Sequence, residues 1–316
     1  MTVPALLWAF FGFILVAALA VDLGVFHRKA HVVSEKEALL WTAAWIALSL
    51  GFNFLIYLWL GPERALEFLT GYLLEKSLSL DNIFVFLVIF SYFAVPSVYQ
   101  HRVLFWGILG ALFMRGVLIL LGVTLLETFH WLTYILGAFV IFTGIRTLLR
   151  KERQVSPERS LVFRLAHRFL PVTTGYEDGS FLVKRAGSLL ATPLLIVLII
   201  VETTDLVFAM DSIPAILAVT TDPFIVFTSN AFAILGLRAL YFALAGIMRL
   251  FGYLTYGLSV ILGFVGVKML AHDLYEMPVT ITLSVVAGVL VASVAASVVR
   301  RKKAEDATSS GAFPDG

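Results

Sequence analysis

The sequence predicts an all-α polytopic membrane protein of about nine transmembrane helices, six of them forming two inverted three-helix repeats. Three observations carry that prediction. Of the 316 residues 60% are apolar and 14% charged, with a mean hydropathy of +0.96, whereas soluble domains hold roughly 45–50% apolar and about 25% charged residues. The apolar residues fall in runs long enough to cross a hydrocarbon core of ~30 Å, which takes ~20 helical residues. The basic residues, finally, are concentrated in alternate connections between those runs.

The runs lie near 5–26, 39–60, 66–94, 101–123, 131–149, 189–218, 225–248, 254–272 and 279–299. The first resembles a secretory signal, since Ala18-Leu19-Ala20 reads as a cleavage site. Nothing before Trp8 is basic, however, and Arg28 and Lys29 follow the run, the reverse of a signal's charge order. It is read as a retained helix with its N-terminus outside. Residues 1–65 then form an N-terminal pair of helices, 66–149 a first repeat of three, and 189–272 a second repeat of three. Between the repeats, 150–188 is a basic cytoplasmic loop in which Arg164, His167 and Arg168 suggest an amphipathic surface helix. Residues 273–316 supply the last helix and a basic and polar tail, whose end AEDATSSGAFPDG is too polar to fold.

With nine spans starting outside, the connections after spans 1, 3, 5, 7 and 9 face the cytoplasm. They hold seventeen Lys and Arg residues, from Arg28 to Lys303, against Arg64 alone on the other side. This bias predicts a multi-pass protein of the inner (cytoplasmic) membrane with its C-terminus in the cytoplasm. The absence of cysteine excludes disulfides, thiolate metal sites and thiol redox chemistry in the chain itself.

Self-comparison supports the repeat. LTYILGAFVIFTGIRTLL (132–149) aligns with LTYGLSVILGFVGVKMLA (254–271), Ile108-Leu109-Gly110 with Ile234-Leu235-Gly236, and Glu75-x5-Asp81-Asn82-Ile83 with Asp205-x5-Asp211-Ser212-Ile213. Spans 3 and 6 run in opposite directions, so the halves are inverted, the arrangement of secondary transporters with a site at the repeat interface near the midplane.

Five carboxylates lie inside spans: Glu75, Asp81, Glu202, Asp205 and Asp211. Each costs at least ~2.5–3.5 kcal/mol on insertion scales unless paired or at work. Six residues of helix turn through about 600°, leaving Glu75 and Asp81 about 120° apart, and Asp205 and Asp211 likewise; Glu202 and Asp205, three apart, share a face. Pro214 predicts a kink or unwinding around Asp211 that would free a backbone carbonyl beside a carboxylate. Carboxylates with neutral oxygens nearby, from Asn82, Ser212, Ser79, Thr203 and Thr204, and without thiols, suit hard cations such as Mg²⁺, Ca²⁺ or Mn²⁺. All six histidines fall at span ends or in loops, which argues against membrane haem. Lys76, Arg115 and Arg238 lie well inside spans; five acids against three bases leave a charge of minus two, the complement of one divalent ion. Arg115 and Arg238 have the alternative reading of simple ion pairs orienting helices.

EKSLSLDNIFVF (75–86), VETTDLVFAMDSIPAI (201–216) and TDPFIVFTSNAFAILGLRALYF (221–242) resemble the TerC/Alx family of integral membrane proteins, over about 5–299. The resemblance implies a LysE-like transporter with paired three-helix repeats. It also implies a part in manganese export or in supplying manganese to exported enzymes, and makes Glu75, Asp81, Glu202, Asp205 and Asp211 the acidic transport residues. A tellurite oxyanion, suggested by the historical family name, would be repelled by such acids. A redox role finds no cysteine or mid-span histidine.

The sequence thus reads as a transporter rather than an enzyme, moving a divalent cation, Mn²⁺ or else Ca²⁺, by exchange with protons. The absence of a GxxxxGK[ST] phosphate loop argues against ATP coupling. No prosthetic group and no nucleic-acid partner is expected; the partners are the lipid bilayer, the ion, protons and, through the 150–188 loop, the secretion machinery. A divalent cation channel and a membrane partner that supplies metal to exported proteins are the alternatives.

Overall fold

The computed structural model describes residues 5–26, 35–149, 171–173, 175–185, 188–244, 253–271, 273–275 and 277–310. The described residues are mainly helical, with one hairpin and an isolated bridge between Val172 and Ala191. Its elements are α1 (Ala5–Phe26), α2 (Glu35–Leu60), α3 (Pro62–Tyr92), α4 (Ser97–Thr128), α5 (Leu132–Leu149), β1 (Leu182–Arg185), β2 (Ser188–Ala191), α6 (Pro193–Leu217), α7 (Pro223–Leu235), α8 (Leu237–Leu244), α9 (Leu254–Leu270) and α10 (Val279–Ser310).

Local chemistry explains the short connections. α2 passes to α3 through Gly61 alone, at φ +92°, with Pro62 preset for the first helical position. α3 ends where Ala94 takes a left-handed conformation at φ +47° and the Val95 N–H reaches back to the Phe90 carbonyl at 2.9 Å. Asp222 caps α7, its carboxylate accepting from the amides of Phe224 at 2.9 Å and Ile225 at 3.4 Å, with Pro223 following.

Among the described residues seven helices are long and apolar enough to cross a membrane, α7 and α8 counting together as Pro223–Leu244. That is two fewer than the nine expected. The difference lies in α3, whose 31 residues carry Glu63, Arg64, Glu67, Glu75, Lys76 and Asp81, and in α9, which has only 17. The run expected from residue 189 starts as a helix at Pro193, because Ser188–Ala191 pair antiparallel with Leu182–Arg185 in a hairpin. The surface helix expected around Arg164, His167 and Arg168 lies outside the described residues.

α6 corrects a further expectation. It stays helical through Asp211 and Pro214 to Leu217 instead of unwinding. Pro214 stands only three residues from the helix end, and Ile213, Ala215, Ile216 and Leu217 around it are all buried. Packing therefore holds the last turn although proline removes one of its hydrogen bonds.

The most extensive interface joins α5 to α9, followed by α3 with α7 and α4 with α6. α5 and α9 meet at glycines: a methyl on Gly266 would lie 2.7 Å from the Gly137 carbonyl oxygen, and one on Gly144 would lie 3.0 Å from that of Ser259. Small residues that let backbones approach are the usual device for joining helices in lipid, where no hydrophobic force separates protein from solvent. α7 and α8 form the most enclosed of these spans, with 89% of its apolar 18-residue window buried. Phe224 and Phe232 of α7 meet Phe11 of α1 and Phe52 of α2 in a cluster of aromatic rings.

Candidate cation-binding site

Helical spacing places Glu75, Ser79 and Asn82 along one stripe of α3, and Glu202, Asp205 and Ser212 along one stripe of α6, each residue three, four or seven positions from the last. The two helices pack together, and α4 adds Arg115 between them. Glu75, Asp205 and Arg115 are 2%, 4% and 1% exposed. At that burial each charge depends on its partners.

Arg115 supplies them. Its Nη1 donates to Glu75 Oε1, its Nη2 to Asp205 Oδ1 at 3.0 Å and its Nε to Asp205 Oδ2 at 3.1 Å. Nη1 also lies 3.3 Å from Ser212 Oγ. Asn230 of α7 donates to Glu75 Oε2 at 2.9 Å, and Asn82 Nδ2 donates to Asp205 Oδ1 at 3.3 Å. One guanidinium thus joins two carboxylates that the alignment of the halves makes equivalent, in the planar fork that suits arginine to carboxylate. The arginine expected to be either counter-charge or helix glue stands at the centre.

The remaining predicted residues are distributed around this triad. Glu202, three residues before Asp205, presses its carboxylate against α4 at Gly110, where any Cβ would lie 2.0 Å from Oε1. Only glycine leaves that space. Asp211 accepts a hydrogen bond from Thr143 Oγ1 of α5 at 3.2 Å. It lines a cavity of about 20 Å³ together with Glu75, Asn82, Arg115, Thr143 and Ser212, enough for one water molecule. Asp81 lies in α3, but its side chain is outside the described residues. Thr203 and Thr204 bond back to the Ile199 and Ile200 carbonyls of their own helix. Among the described residues no three Asp, Glu or His side chains converge on one point. Of the five acids, Glu75 and Asp205 meet through Arg115, Asp211 borders the same cavity, and Glu202 stands to one side.

Three oxygens in this region are buried with no hydrogen-bond partner among the described residues: Ser79 Oγ, Asn82 Oδ1 and Glu202 Oε2. An unsatisfied buried acceptor costs about 1–3 kcal/mol, so three of them on facing stripes call for an explanation.

Sequence reasoning missed Asn230, Thr143 and Asp22. Asp22 of α1 is 3% exposed and pairs with Arg238 of α8, which also donates to the Asp22 backbone carbonyl at 2.8 Å. Its signal was a lone acid in the first apolar run, and counting it turns the expected interior charge of minus two into minus three.

The profile of the family described as "Integral membrane protein TerC family" matches residues 60–305. The chain belongs to the TerC family. A relative from Myxococcus xanthus, "Uncharacterized membrane protein STKORF319", is 54% identical over 298 residues, covering 94% of this chain and 93% of its own. Alx of Salmonella typhi is 49% identical over 294 residues, covering 90% of this chain and 91% of its own, and Alx of Escherichia coli K12 is 48% identical over 295, covering 90% and 92%; both are named as proposed membrane-bound redox modulators. No solved structure matches the chain. Membership and helices together make this TerC protein an integral multi-pass membrane protein.

Proposed function

We propose that this chain is a secondary transporter that carries a divalent cation, Mn²⁺ before Ca²⁺, out of the cytoplasm across the inner membrane, in exchange for protons. The observation that carries the reading is the set of buried, unpartnered oxygens, Ser79 Oγ, Asn82 Oδ1 and Glu202 Oε2, on the stripes that also bear Glu75 and Asp205. Carboxylate, amide and hydroxyl oxygens without sulfur are the ligands of a hard cation. An ion beside Glu75 in the cavity that Asn82 also lines would satisfy the bare Asn82 Oδ1.

The packing of the helices supports two inverted repeats within nine spans, with α3 and α9 as the charged and the short member. If α3, α4 and α5 correspond to α6, α7 with α8, and α9, then exchanging the halves maps the α3–α7 interface onto α4–α6 and α5–α9 onto itself. These are the three most extensive helix interfaces. The acids lie on α3 and α6, the leading helices of the two halves, where a transporter of this kind binds its substrate. The seventeen basic residues in alternate connections of the nine-span arrangement support this orientation.

Export must work against the membrane potential, at about 2.3 kcal/mol per charge per 100 mV and twice that for a divalent ion. Buried carboxylates that exchange protons for metal supply the coupling. A redox role, which the printed name gives to the Alx relatives, could not use a thiol here, since the chain has no cysteine.

The test is flux of Mn²⁺, Ca²⁺, Mg²⁺ and Zn²⁺, one metal at a time, into inverted vesicles holding the chain or its Asp205→Asn variant. Saturable Mn²⁺ uptake is expected, driven by an imposed pH gradient and largely lost in the variant. Uptake indifferent to the gradient removes the proton coupling, and equal flux in both proteins removes the site.

A further inference from the structure

Arg115 and a bound cation would compete for the same oxygens. The guanidinium takes both carboxylate oxygens of Asp205 and one of Glu75, while Asn230 holds the other oxygen of Glu75. A divalent ion at these oxygens would meet an arginine that keeps its proton, and like charges at contact distance in a poorly polarisable interior repel strongly. The repulsion favours a bound state in which Arg115 has moved off these carboxylates. The guanidinium then needs a second anionic seat within reach, since a buried charge that loses its partner is strongly destabilising.

Asp211 is a further anion on the same cavity. Arg115 borders the small cavity that Asp211, Ser212 and Thr143 also line, and its Nη1 is already 3.3 Å from Ser212 Oγ. Moving the end of the fork toward the Asp211 carboxylate, with the lining of this one-water cavity giving way, would release Glu75 and Asp205.

We propose that Arg115 is a built-in counter-ion with two seats, Glu75 and Asp205 when the site is empty, and Asp211 when a cation holds those carboxylates. The inference rests on the cation-transport reading above, and it takes Asp211 out of the ligand set. In both states Arg115, Glu75 and Asp205 each keep an opposite charge. The positive charge that leaves the ligands as metal enters returns to them as metal departs, which helps to expel the ion.

The test uses the purified full-length chain in nanodiscs, with Mn²⁺ alone as the probe and binding read from the loss of the free-ion electron paramagnetic resonance signal. Asp211→Asn is expected to weaken binding at least tenfold, because the guanidinium then has nowhere else to sit. Combining it with Arg115→Gln is expected to restore wild-type affinity or better. Should that double variant not fold, Arg115→Lys with Asp211→Asn keeps the charge but loses the fork, and is expected to bind at least threefold tighter than Asp211→Asn alone. A folded double variant as weak as Asp211→Asn, or unchanged affinity in Asp211→Asn, overturns the proposal while leaving wild-type binding, and the transport reading, intact. Absence of Mn²⁺ binding by the wild type removes both.

Discussion

A guanidinium that is 1% exposed and holds two buried carboxylates makes Arg115 the residue on which the interior charge balance turns. Arg115→Ala strands both acids, and breaking such a buried set is expected to cost about 3–5 kcal/mol. It should appear as a marked fall in thermal stability in detergent, and adding Glu75→Gln and Asp205→Asn should recover most of it, since neutral amides need no counter-ion. Gly110 gives a second residue-level prediction. An alanine methyl would lie 2.0 Å from Glu202 Oε1 and must displace the carboxylate, so Gly110→Ala should impair Mn²⁺ flux as Glu202→Gln does. Gly12→Ala, with nothing within 4 Å, should leave flux unchanged. At this scale the sequence is a good guide to polar groups that interrupt apolar runs, which is how Glu75, Asn82, Asp205 and Ser212 stand out. It is a poor guide to who pairs with whom, because Arg115 lies 40 residues from Glu75 and 90 from Asp205. Asn230 was hidden by its neighbours Thr228 and Ser229, polar residues that merely bond back to their own helix.

Helices follow from the apolar runs to within a few residues at most ends, since a span needs little beyond length and hydropathy. What the runs do not report is how an element ends or bends. The hairpin at 182–191 replaced the start of an expected helix, and the turn around Pro214 stayed helical because its neighbours are buried, a tertiary effect that proline chemistry alone does not contain. The seam between α5 and α9 offers a test at the level of elements. A methyl on Gly266 would meet the Gly137 carbonyl oxygen at 2.7 Å, whereas one on Gly263 of the same helix meets nothing within 4 Å. Gly266→Ala should therefore force the helices apart and lose about 1–3 kcal/mol, the usual cost of overpacking. Gly263→Ala should be neutral or gain about 0.5–1 kcal/mol from helix propensity. Equal unfolding temperatures for the two variants in detergent would mean that the seam does not depend on close backbone approach.

At the scale of the whole molecule, the two halves share one charge centre. Glu75 comes from the first half and Asp205 from the second, and a single arginine is hydrogen-bonded to both. In the transporter proposed above, motion of one half against the other would change the spacing of these acids, which lie on α3 and α6 beside the α3–α7 and α4–α6 interfaces. Acids that served only to fasten helices would act locally, so that Glu75→Gln and Asp205→Asn would each weaken the fold by an independent amount and leave flux per folded molecule near normal. Acids that together hold one ion act as a unit. Each amide alone should then remove most Mn²⁺ flux in a protein that still inserts and folds, and the double variant should be little worse than either, as expected when both changes disable the same site. Flux and thermal stability measured on the same three preparations separate the two cases. Additive losses of stability with flux retained would reduce the centre to a fastening, while non-additive loss of flux in folded protein would mean that buried acids from both halves persist in the membrane because they hold the ion in turn with Arg115.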